Sequence, residues 1–123
     1  MISGVVSSAG VPVLHLEVAG RSWEAIVDTG FNGDLELPVS LKDALSPRYI
    51  GQITSLLAAG QAIKEDAYHV DFPFDGRTIL SEATFVSGEQ VLVGTHLLQH
   101  HRLEVDFPAG TVTLQRTEKA AGW

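Results

Sequence analysis

Apolar and polar residues alternate with a period of two along most of this sequence, which commits the chain to strands that bury one face. Leu14, Leu16 and Val18 fall on one side of such a strand, His15 and Glu17 on the other. Gly20-Arg21 turns the chain into a second strand, Ser22 to Val27, and a third, Leu35 to Leu37, stops at Pro38. Tyr49 to Val70 reads as two strands joined around Ala58-Ala59-Gly60-Gln61, small residues that suit a mobile hairpin tip. Asp75-Gly76 is a dipeptide favoured in two-residue hairpin turns, and it leads into a strand from Arg77 to about Val86. Val91-Leu92-Val93 is a short apolar run of the buried-strand type, closed by Gly94. Leu103, Val105 and Phe107 then alternate with Glu104 and Asp106, Pro108-Ala109-Gly110 turns, and Thr111 to Leu114 returns.

Two short helices are expected between these strands. Ser40-Leu41-Lys42-Asp43 resembles a capping box with Asp in place of Glu, and Thr95 can cap a brief helix through Leu97, Leu98 and His100. Regularly spaced short strands with turn signals between them point to an all-β domain, a closed barrel or a sandwich. The 123 residues make a single domain, 1–123, in which 116–123 show no pattern and are expected to fray.

Charge and cysteine content narrow the chemistry. Eight basic and fifteen acidic side chains give a net charge of −7, which opposes binding to nucleic acid or to an anionic membrane. With no cysteine there is no disulfide framework, thiolate metal site or cysteine nucleophile. No apolar run approaches the roughly 20 residues that span a bilayer. Met1 to Pro12 lacks the basic start and unbroken apolar segment of a secretory signal, so a cytoplasmic location is expected.

The chemistry-bearing motif is Asp28-Thr29-Gly30, directly after the apolar strand end Ala25-Ile26-Val27. Alone it could be an ordinary turn, with Asp and Thr accepting local backbone bonds and Gly at positive φ. Its context is more specific: Leu35-Glu36-Leu37-Pro38 follows, then the Gly-tipped hairpin, then Val91-Leu92-Val93-Gly94-Thr95-His96-Leu97-Leu98. In these segments, and in the closing hairpin Arg102 to Leu114, the chain resembles the retropepsin-type aspartic proteases, including the small clan AA proteases of bacteria. The resemblance runs from about Val11 to Gln115.

That resemblance implies an aspartic endopeptidase with a retropepsin-like barrel or sandwich and a flap hairpin. Two carboxylates about 3 Å apart share one proton and so supply base and acid together. This chain has one such loop, since Val93-Gly94-Thr95 has no Asp before its Gly. Activity therefore requires a homodimer with Asp28 from each subunit. By resemblance Thr29 would bond across the dimer axis, and Gly30 would offer a carbonyl to substrate. Phe31 and Asn32 would line the substrate site, with Ala59 and Gly60 at the tip of a flap closing over an extended polypeptide. Phe31 departs from the small residue usual there in retroviral enzymes; it would line a pocket or crowd the dyad. The interface would be built from interleaved termini, with Ile2 to Val6 and Thr111 to Leu114 as the candidate strands.

Other chemistries find little support. His96 and His100, four apart on a short helix, lack a third zinc ligand, so no metal or cofactor is expected. No Gly-x-Ser-x-Gly elbow or phosphate loop is present. The alternative is of another class: a retropepsin-like module that binds peptides or dimerises without cutting.

Overall fold

A computed structural model describes residues 1–56 and 58–117 of the chain. The first five strands are β1 (Ile2–Val6), β2 (Pro12–Val18), β3 (Arg21–Val27), β4 (Leu35–Pro38) and β5 (Arg48–Leu56). The other five are β6 (Ala62–Phe74), β7 (Arg77–Val86), β8 (Val91–Val93), β9 (His101–Asp106) and β10 (Thr111–Arg116). They form one sheet in the order β5-β6-β7-β4-β8-β3-β2-β1-β10-β9.

The fold class is all-β, as the alternation required. The sheet is open, with β5 and β9 as its edges, so hydrogen bonding does not close a barrel. It curls instead. β2 and β6 lie five places apart in the ladder, about 24 Å if it were flat, yet their Cα atoms approach within 8 Å. One core results, holding Leu14 and Leu16 of β2, Leu35 and Leu37 of β4, Phe72 and Phe74 of β6, and Leu114 of β10.

Four sequence expectations are corrected. The two helices do not form: Val39–Leu41 and Asp43–Leu45 are single 3-10 turns, and Ser40 makes no cap because Pro38 holds that position. Thr95 to His100 is a run of turns closed by Leu98 N–H to Thr95 O and Gln99 N–H to His96 O, a segment too short to propagate a helix. The first hairpin turns at Ala19-Gly20, both at positive φ, and Arg21 already belongs to β3. Arg116 and Thr117, expected in a frayed tail, are held: Arg116 of β10 pairs with His101 of β9 and the Thr117 N–H donates to His100 O at 2.8 Å; 118–123 lie outside the described residues.

The fourth correction bears on assembly. β1 lies between β2 and β10 of its own chain, with Ile2 opposite Leu114 and Gly4 opposite Val112. Ile2, Val112 and Leu114 are buried there, so among the described residues both terminal strands are paired on both sides within their own chain. Among the described residues no helix is long and apolar enough to cross a membrane.

Candidate active site

β8 pairs in parallel with β3 and antiparallel with β4, so the loop that joins β3 to β4 must arch over the end of β8. That loop is Asp28 to Asp34. Apolar β8 fits the slot because Val91 and Val93 are buried on one face of the ladder. Gly94, its next residue, is a packing requirement: a Cβ there would lie 2.2 Å from the Gly33 carbonyl oxygen and 2.8 Å from that of Phe31.

Asp28 stands at the exit of β3, half-buried, its N–H donating to Val93 O at 3.0 Å. Its Oδ1 accepts the Gly30 N–H at 2.9 Å, and its carbonyl accepts the Phe31 N–H at 3.1 Å. The motif thus is a local turn, as its residue types allow, and that turn fixes the orientation of the carboxylate. Thr29, Gly30 and Asn32 are exposed beside it. The Phe31 ring folds back on the loop, close enough to Gly33 and Gly94 that a Cβ at either would meet it at 2.7 or 2.8 Å. The hairpin tip carries Ala59 and Gly60, both exposed and both left-handed, at φ 69° and 78°.

Asp34 and His96 form the brace of this loop, and sequence reading passed over both roles. Asp34 is only 8% exposed. Its Oδ1 accepts from His96 Nδ1 at 2.6 Å and its Oδ2 from the Glu82 N–H of β7 at 2.9 Å. Its carbonyl accepts the Gly94 N–H at 2.9 Å, and His96 N–H donates to Gly33 O at 3.1 Å. A carboxylate only accepts, so the proton in the short bond belongs to Nδ1. His96 therefore ties the far end of the loop to the turn after β8. His100 does not join it on a helix face. Asp34 lies just before β4, and only the parallel pairing of β4 with β7 brings the Glu82 N–H to it.

Glu36 is the second titratable group near Asp28. Burial, then the charge of Glu65, then that of Asp28 itself, holds its carboxyl above the ordinary glutamate range.

No family model and no curated protein matches the chain. Solved structures do. A retropepsin-like aspartic protease from Rickettsia conorii superposes with a TM-score of 0.63 at 18% identity, covering 91% of this chain and 87% of that one. The Simian Foamy Virus (mac) protease superposes with a TM-score of 0.53 at 22% identity, over 71% of this chain and 91% of that one. A foamy viral protease-reverse transcriptase gives 0.58 at 19% identity, over 75% of this chain and 15% of that one.

Proposed function

The chain has a retropepsin-like fold, and from it we propose that this protein is an aspartic endopeptidase active as a homodimer. The observation that carries the reading is the setting of Asp28: a carboxylate at the mouth of β3, oriented by the Gly30 N–H, on a loop pinned over β8 at both ends. A single carboxylate cannot be base and acid in one step, so a second Asp28 must come from a second copy. One carboxylate takes a proton from water as the water oxygen attacks the peptide carbonyl. Its partner, protonated, supplies the proton that the leaving nitrogen needs.

The remaining site residues follow from that arrangement. Thr29, exposed at the loop's apex, would meet its counterpart across the axis. Gly30, Phe31 and Asn32 would flank the bound polypeptide, with the Phe31 ring as a fixed apolar wall rather than a swinging side chain. The hairpin of β5 and β6, tipped by Ala59 and Gly60, would cover it from above.

The test is cleavage of an unfolded polypeptide by wild type and by Asp28→Asn. Wild type should cut, be blocked by a statine-type transition-state mimic, and lose at least a thousandfold in rate on the substitution, the scale of a removed general base. A mutant within tenfold of wild type would place the chemistry elsewhere. A protein that binds the polypeptide and never cuts it would be the non-catalytic module.

A further inference from the structure

One row of the ladder runs across the mouth of the site. Ile26 of β3 pairs with Leu92 of β8, and Leu92 with Glu36 of β4. Side chains paired across a ladder share a face, and Asp28, the residue after β3, stays in register with β8 through its N–H bond to Val93 O, which keeps it two places from Ile26 on the same face. The opposite face, carrying Val27, Val93 and Leu35, is buried in the core, whereas Ile26, Leu92 and Glu36 are only half-buried. Glu36 therefore lies on the Asp28 side of the sheet, at the end of a short apolar step.

Among the described residues, Glu36 has no cationic partner. Among the described residues, the ion pairs join Met1 to Asp75, Arg21 to Glu89, Arg48 to Asp71, His96 to Asp34 and Arg102 to Glu104. The charges that bear on Glu36 are those of two carboxylates, Glu65 from β6 and Asp28 from the loop. Its ladder neighbours, Leu92 on β8 and Thr84 on β7, do not titrate. A half-buried carboxylate held among like charges gains from a cation brought to it.

We infer that Glu36 is a specificity-determining residue that selects a lysine or arginine side chain of an extended polypeptide laid across Asp28. The inference rests on the protease reading. The side chain's aliphatic stem would lie along Leu92 and Ile26 and its charged head would reach Glu36, the arrangement long basic side chains adopt at apolar surfaces. A carboxylate-bearing side chain in the same place would meet an acidic neighbourhood and no cation to offset it.

Peptide binding to Asp28→Asn protein tests this apart from chemistry. The probes are short extended peptides, identical except for Lys, Gln or Glu substituted at each position in turn, followed by fluorescence anisotropy. At one position Lys should bind about tenfold more tightly than Glu. That ratio should fall to near one in Asp28→Asn/Glu36→Gln and invert in Asp28→Asn/Glu36→Lys. Binding that is indifferent to charge, or a preference that survives both Glu36 substitutions, overturns the role of Glu36 and leaves the protease reading standing. Binding of none of the peptides overturns the peptide cleft and, with it, this inference. Cleavage by wild type reports on the catalytic reading separately.

Discussion

Asp34 is a carboxylate withdrawn from water, a placement that is tolerable because both oxygens are hydrogen-bonded. Asp34→Ala leaves the Glu82 N–H without an acceptor, while the exposed His96 ring can turn to water, so it should cost about 1–3 kcal/mol for the one backbone group left unpaired. Asp34→Asn keeps one acceptor oxygen and should cost less. Denaturant midpoints of the two variants check this, and an Ala variant as stable as wild type would remove Asp34 from the brace. Glu36 behaves differently with pH. Burial first, with the charges of Glu65 and Asp28, raises its folded pKa, so the native chain keeps that proton to higher pH than the unfolded chain does. The associated stability is fully present below the unfolded pKa and is lost as pH rises through the folded one. Glu36→Gln should therefore match wild type in acid and melt at a higher temperature near neutrality; identical melting at both pH values would contradict it.

At the scale of elements, the strands were legible and the short helices were not. The period of two and the Asp75-Gly76 turn, left-handed at both residues, located β6 and β7 directly. The segments after Pro38 and Gly94 carry cap-like residues but have no room for a second turn, so 3-10 turns close them instead. β1 shows how a strand can be legible and its partner not. Its apolar residues were readable, but sequence cannot say whether β10 of the same chain or of another lies beside it. Ile2 is 8% exposed, and losing a large apolar residue from a core costs about 2–5 kcal/mol. With the ladders to β2 and β10 lost as well, removing Met1 to Val6 should consume most of the roughly 5–15 kcal/mol that holds a domain together. The truncated chain should melt far below wild type, and by the same margin at any protein concentration. A loss that vanishes as concentration rises would instead show that β1 is exchanged between subunits.

On the scale of the whole molecule, the proposed dyad makes activity a property of two copies. Specific activity should rise with protein concentration and level off as the mass seen by sedimentation doubles. A mechanism that needs one carboxylate as base and another as acid in the same step should give a rate that falls at both extremes of pH. Full activity in a species sedimenting as a monomer would exclude the dyad.

The sequence by itself determined the all-β class, the strand positions and the Asp28-Thr29-Gly30 turn, because alternation, turn dipeptides and side-chain-to-backbone bonds act within a few residues. It also determined that one chain offers one such carboxylate, which is a matter of counting. Tertiary structure decided the rest. The passage of β8 between β3 and β4 turned Gly94 into a steric necessity, joined Asp34 to His96 and set Glu36 on the face of Asp28, and the parallel pairing of β4 with β7 brought the Glu82 N–H to Asp34. These contacts join residues some 50 to 65 positions apart. Each depends on which strand lies beside which, and a pattern read along one strand carries no information about its neighbour.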